Sequence, residues 1–384
     1  MTFQTDKRPT QAYIDLDALA FNFHSSKQFI GQNIKYMAVV KADGYGHGAA
    51  ACAVRLESEG VDWLGVAIPE EGVEIRQAGV KCPIMCLGSF WPGQENLLFE
   101  YDLTPVIYDL EIADLLGQFA AEHEQSIDVH IKIDTGMGRV GINYRDAAKF
   151  AHEIKIIKEL NVTGLLTHFA SAEDPKENEF TGLQIERFED ACEAFITAGH
   201  TPELFDLANS PGAIAHPESR RNLVRLGGAL YGLVDDILPS ETPQPELKPV
   251  LSLSSRVTYL RQVRTGESLG YGRTFTTERD SVIALVPIGY ADGYPRGLSN
   301  CGKAYINGSI VPVVGRISMD WTLVDVTDVP TAAKGDEIFL IGGGQRHAIK
   351  ASDLAREIGT IGYEITCGIS PRVPRIFLGS PNVK

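Results

Sequence analysis

The sequence lacks any pairing pattern for its sulfur. Its six cysteines stand at 52, 82, 86, 192, 301 and 367, with no CxxC and no histidine pair at zinc-finger spacing. Cys82 and Cys86, in the apolar stretch CPIMC, read as buried thiols of a strand, and we expect all six to be reduced and no metal to be held. Basic residues are also short: 35 against 50 acidic ones gives a net charge of −15. That balance leaves no surplus for nucleic acid or an anionic membrane face. No apolar run is long enough to span a bilayer, and MTFQTDKRPTQ lacks the apolar core of a secretory signal. We therefore expect a cytoplasmic protein with neither a membrane nor a nucleic-acid partner. Internal repeats and low-complexity tracts are missing too. Glycine alone is in excess, at 38 of 384 residues against a usual share of roughly 7%.

The order of apolar runs predicts an α/β fold. Strand-like segments recur at 34–40, 62–67, 83–88, 103–108, 127–133, 162–168, 203–208 and 223–227, with helical stretches between them. Runs that are apolar on both faces imply parallel strands covered by helices. Eight units in about 240 residues suit a closed (β/α)8 TIM-type barrel, here placed at 12–242. The proline-rich DDILPSETPQPELKP then reads as a linker. Beyond it we expect a mostly β C-terminal domain at 243–384, with residues 1–11 able to join it and AYIDL (12–16) able to pair with it. Asn307-Gly308 marks a hairpin, and Ser352 is the expected N-cap of the one helix read there, SDLAREIG.

Candidate chemistry gathers at strand ends. Lys41 closes the apolar run AVVK before the glycine-rich ADGYGHG, where a barrel mouth would partly desolvate its amine and make it a Schiff-base nucleophile. A rival reading takes Gly44, Gly46 and Ala49 as a dinucleotide fingerprint, but the next strand ends without the acidic residue a ribose needs. Asp134-Thr135-Gly136 mimics an aspartic-protease triplet, yet no second copy exists in the chain. Arg139, in the same loop, suits a grip on a carboxylate. His168 falls at the end of the sixth strand. Ser210 and the Gly227-Gly228 pair fall after the seventh and eighth, where such barrels often bind phosphate, and Arg225 should point into the mouth. An amine, a phosphate cradle, a carboxylate clamp and an internal arginine together suit pyridoxal 5′-phosphate.

The motifs AVVKADGYGHG, KIDTGMGRVG, NSPG, VRLGGALYGL, LGYGRTF, IGYADGYPR, GRISMDW and IGYEITC follow one another over nearly the whole chain. In order and rough spacing the sequence resembles the alanine racemases. The resemblance implies a homodimer in which the partner's β domain completes each active site, and a pyridoxal-phosphate isomerase making D-alanine for peptidoglycan. It implies Lys41 as the aldimine lysine and first base, and Tyr271 as the second base. Tyr45, Ser210, Gly227, Gly228 and Tyr363 would form the phosphate shell, with His168 supporting the ring and Arg225 facing its nitrogen. Arg139 and the Met319 N–H would hold the substrate carboxylate, and Tyr290 would line the access channel. Lys132 sits where family members can carry a carbamylated lysine. Asp206 departs from the family pattern, which often has histidine there, and a carboxylate beside Arg225 should pair with it directly. Alternatives are a racemase of broader range or for serine or lysine, a decarboxylase of similar plan, and a non-catalytic carrier of the cofactor.

Overall fold

The computed structural model describes residues 8–239, 241–344 and 348–379. Of the residues expected to join the second domain, 1–7 lie outside that set. The strand read at AYIDL is β1 (Gln11–Asp15), followed by helix α1 (Leu16–Ile30), whose first turn is capped by the Asp15 carboxylate accepting from Ala18 N at 2.9 Å.

Eight strands then close a parallel barrel: β2 (Lys35–Val39), β3 (Trp63–Val66), β4 (Ile84–Cys86), β5 (Leu103–Ile107), β6 (Ile127–Asp134), β8 (Leu160–Leu166), β9 (Leu204–Asp206) and β10 (Leu223–Leu226). The two-residue β7 (Ile142–Asn143) merely edges β6. Pairing of β10 with β2 and of β5 with β6 completes the ring. Each barrel strand coincides with one of the runs read from the sequence. Both faces of these strands are buried because the inner side chains Met37, Met85, Val106, Leu166, Leu204 and Leu223 fill the barrel, while the outer ones meet helices. Each such side chain contributes roughly 1.5–3 kcal/mol by leaving water. The covering helices are α3 (Ala49–Ser58), α4 (Pro69–Gln77), α5 (Glu95–Glu100), α6 (Leu110–Glu122), α7 (Ala147–Ile154), α8 (Asn178–Thr197) and α9 (Ser210–Ala215), while the short α2 (Lys41–Tyr45) is a left-handed turn at the barrel mouth. Pro69 begins α4 and Gly79 turns the chain just beyond it, as expected of those residues.

The linker is tied down by Asn22 of α1. Its buried amide donates to Leu230 O and Lys248 O, and its oxygen accepts from Lys248 N. Beyond it lie β11 (Leu251–Arg256), β12 (Tyr259–Val263), β13 (Ser268–Leu269), β14 (Phe275–Thr276), β15 (Ser281–Val286), β16 (Lys303–Ile306), β17 (Ser309–Pro312), β18 (Thr322–Asp325), β19 (Glu337–Ile341) and β20 (Arg375–Leu378), with helices α10 (Ala351–Ile358) and α11 (Gly362–Cys367). The largest sheet outside the barrel runs β17-β16-β19-β11-β1-β20, so β1 belongs to this half of the molecule. The run LSLSSRVTYL is not one strand: it breaks at Val257-Thr258, and its halves join different sheets. Asn307 (φ 45°) and Gly308 (φ 87°) form the expected tight turn between β16 and β17. Ser352 is not the N-cap of α10; Lys350 takes that place, and the Ser352 hydroxyl donates instead to Asp235 at 2.8 Å. The six-residue α11, rich in β-branched residues, was not visible as a helix in the sequence. Among the described residues no helix is long and apolar enough to cross a membrane.

Candidate active site

Lys41 stands at the C-terminal end of β2, and the backbone after it takes a left-handed turn. Ala42, Asp43, Gly44 and Tyr45 have φ of 52°, 54°, 60° and 56°. For residues other than glycine this costs roughly 1–2 kcal/mol each, so the surroundings must hold it. Glu71 does much of that work. One carboxylate oxygen accepts from Ala42 N and the other from Ala67 N, both at 2.7 Å, joining the loops after β2 and β3. Asp43 accepts from Ala49 N at 2.9 Å. Gly46 follows at φ 85°, and a Cβ there would lie 2.1 Å from Thr366 O, so the turn is pressed directly against α11. Burial, followed by the charges of Arg139 and Arg225, holds the Lys41 amine below its ordinary pKa.

The turn also delivers Tyr45 to a cluster of rings, 5.0 Å from Tyr231 and 5.6 Å from Tyr363 by centroid. The Tyr45 and Tyr363 hydroxyls lie over the Gly227-Gly228 backbone: a Cβ on Gly227 would sit 2.8 Å from Tyr45 Oη, and one on Gly228 only 2.0 Å from Tyr363 Oη. Ser210 Oγ accepts from Gly227 N at 3.0 Å. Two hydroxyls, a serine and a side-chain-free backbone make a cradle fitted to a phosphate, with Tyr363 supplied by the second domain of the same chain. Burial raises both phenols above the ordinary range, so they serve as neutral donors.

Deeper in the barrel Arg225 is enclosed. Its Nη2 donates to Thr167 O at 2.8 Å, to Leu207 O at 3.2 Å and to His168 Nδ1 at 3.2 Å, while Nη1 pairs with the Asp206 carboxylate. A guanidinium can only donate, so His168 accepts at Nδ1 and carries its proton on Nε2. Burial and then Arg225 drive the His168 ring well below its usual pKa, keeping it neutral. Lys132, also buried, is driven down by the same two causes, with Asp206 acting against them. His168 is steadied through Gln184, which donates to its carbonyl and to Thr135 Oγ, while Thr135 Oγ also meets Thr167 Oγ at 2.8 Å.

Arg139 lies exposed in a loop that Asp134 shapes by accepting from Gly136 N and Gly138 N. That carboxylate is occupied in turn geometry, which accounts for the protease-like triplet. The structure thus brings together Lys41, Tyr45, Arg139, His168, Ser210, Arg225, Gly227, Gly228 and Tyr363. Tyr271, Tyr290 and Met319 are elsewhere, on the second domain, at 71%, 43% and 53% exposure. Gly270 (φ 69°) and Gly272 (φ 70°) bracket Tyr271 and present it outward. Tyr290 and Met319 share a surface because Tyr290 N donates to Ser318 O and Ala291 N to Met319 O. Glu71, Thr167 and Gln184 carry no motif of their own, and Thr135 was read only as part of the Asp134-Thr135-Gly136 triplet; Glu71 in PEEG could be noticed only as a carboxylate one helical turn from the end of a barrel strand.

Comparison with known proteins agrees with the fold of a parallel barrel followed by a mostly β domain. Residues 14–235 match the alanine racemase N-terminal domain and residues 250–377 the alanine racemase C-terminal domain. The alanine racemase of Halothermothrix orenii is 43% identical over 372 residues, covering 96% of this chain and 97% of that protein. An alanine racemase structure from Clostridium difficile 630 superposes with a TM-score of 0.91 at 35% identity, over 97% of both chains. One from Bartonella henselae, described with covalently bound pyridoxal phosphate, gives 0.86 at 30% identity over 97% of this chain and 100% of that one. With both domains matched and relatives similar along their whole length, the chain belongs to the alanine racemase family.

Proposed function

We propose that this protein interconverts L- and D-alanine with pyridoxal phosphate, as a cytoplasmic homodimer, and that the D-alanine serves peptidoglycan synthesis. The observation that carries the reading is the placement of Lys41, on a held left-handed turn, between a phosphate cradle and two arginines. The residues fit the cofactor: Tyr45, Ser210, Gly227, Gly228 and Tyr363 would hold its phosphate, Lys41 its aldehyde carbon, His168 its ring and Arg225 the ring nitrogen. The covalently bound cofactor of the Bartonella henselae relative supports this assignment. When bound, pyridoxal phosphate takes up the electron pair left by a departing α-proton.

The chain's own groups then have separable tasks. Lys41 Nζ takes or returns the proton on one face, and its lowered pKa makes the neutral amine accessible. Tyr271 of the partner subunit does the same at Oη on the other face; its exposure within one chain fits a group that works across an interface. Arg139 and the Met319 N–H hold the substrate carboxylate, and Tyr290 narrows the access route. Arg225, which can only donate, discourages protonation of the nitrogen it faces.

The test is D-alanine formation from L-alanine by the pure protein with added pyridoxal phosphate, followed by a panel of other L-amino acids. A yellow protein without turnover would make it a carrier, and equal rates on serine or lysine would make it a racemase of broader range. Mixing Lys41→Ala with Tyr271→Phe chains should restore one working site per heterodimer. Heterodimers that form but stay inactive would refute the shared site.

A further inference from the structure

Asp206 closes β9 inside the barrel with none of its surface exposed, and its carboxylate contacts Arg225, itself only 3% exposed. We propose that Asp206 is a positioning residue for the cofactor ring: it fixes the Arg225 guanidinium in one orientation and cancels its charge, and so sets the protonation of the bound cofactor. The proposal rests on the reading of the site given above.

The guanidinium is held on two sides. Nη1 is turned to Asp206, and Nη2 to the carbonyls of Thr167 and Leu207 and to His168 Nδ1. Without the carboxylate, Nη1 would face the barrel interior with only the distant Asp206 carbonyl, at 3.4 Å. A buried cation deprived of its partner is strongly disfavoured and reorients or draws in water. The cationic or neutral groups acting on this space are Lys132 and His130 from β6, Arg139 from the loop after it, His168 after β8, and Lys41 and Tyr45 after β2, and the Glu71 carboxylate is taken up by the N–H groups of Ala42 and Ala67. Asp134 is half-exposed and tied to its own loop. Asp206 is therefore the anion that faces this group from within the barrel. Burial raises its carboxyl above the ordinary range, while contact with the permanently charged Arg225 guanidinium, and then the charge of Lys132, favour the ionised form. The pair presents a nearly neutral, directional donor to the ring instead of a bare positive charge.

The experiment compares the pyridoxal-phosphate-loaded wild type with Asp206→Asn, Asp206→His and Asp206→Glu, following the cofactor's absorbance against pH. Removing the anion leaves the site more positive and disfavours the protonated cofactor, so the midpoint must fall. Loss of one charge inside a buried site should move it by about one pH unit. Asn and His should shift together, Glu should stay near the wild type, and KM for alanine should hardly move while kcat falls, because Asp206 touches no substrate. If one neutral variant does not load, the other carries the test. An unchanged midpoint in a loaded neutral variant, or a shift in Glu as large as in Asn, overturns the proposal. A wild type that takes up no pyridoxal phosphate overturns the reading of the site, and this proposal with it.

Discussion

Replacing Gly228 by alanine tests the cradle at its tightest point. The new Cβ would lie 2.0 Å from Tyr363 Oη and 2.7 Å from Cζ. A comfortable contact needs about 3.5 Å, so the phenol must withdraw by about 1.5 Å. It has little room, because the Tyr45 ring packs beside it at a tilt, 5.6 Å away by centroid, and α11 is pressed against the turn at Gly46. Overpacking of this kind costs about 1–3 kcal/mol. If the displaced phenol is a phosphate ligand, that cost appears as a loss of about 5- to 150-fold in affinity for pyridoxal phosphate. The assay is an absorbance titration of the apoprotein, with a thermal melt as the folding control. Gly308→Ala is the comparison: its hairpin glycine, at φ 87°, has nothing within 4 Å, so stability should fall slightly and affinity should not change. Adding Tyr363→Phe to Gly228→Ala removes the nearest atom and halves the required movement, so the melting temperature should recover in part while affinity stays low for want of the hydroxyl. A Gly228→Ala protein that melts normally and binds with full affinity would refute the placement of the phosphate.

Three further outcomes are expected. Capture of pyridoxal phosphate by the apoprotein needs neutral Lys41, so its half-maximal pH should lie below that of an ordinary lysine; Arg139→Gln removes a charge that favours the neutral amine and should move it upward. Glu71→Ala frees the turn after Lys41 and should slow that capture by about tenfold or more while costing roughly 1.5–3 kcal/mol of stability in urea melts, with Glu71→Gln between it and the wild type. Buried Asp292 is held below the ordinary carboxylate pKa, despite its burial, by Arg8 and the Gly289 N–H. Its stabilisation is present above the unfolded value of 3.8 and lost as pH falls through the lower folded value, so Arg8→Ala should flatten the acid limb of stability measured by denaturant melts below about pH 5.

The barrel was legible because burial on both faces writes itself as continuous apolar runs, and eight of them with helical stretches between leave few architectures. Lys41, Arg225 and Gly227-Gly228 were legible for a related reason: polar or side-chain-free residues at the ends of such runs have little structural cause to be there. Glu71 and Gln184 were not, since they act by reaching sideways to the backbone of other loops, and nothing in local sequence marks a long-range acceptor. The division of LSLSSRVTYL escaped for want of a breaker, as Val257-Thr258 are good strand formers turned by tertiary pairing. Ser352 shows the reverse: a good capping residue drawn away by an acceptor, Asp235, on the linker.

The position of β1 also bears on how the chain is made. Gln11–Asp15 is hydrogen-bonded antiparallel to β11 and parallel to β20. It leaves the ribosome early, whereas β11 appears only after the barrel, about 240 residues later, a wait of roughly 10–50 s at ordinary rates of synthesis. Throughout translation of the barrel this strand offers open backbone groups to any passing edge. A nascent chain stalled in the linker, or a barrel expressed alone, would carry a strand with no sheet to enter and should call on chaperones that the complete protein can release.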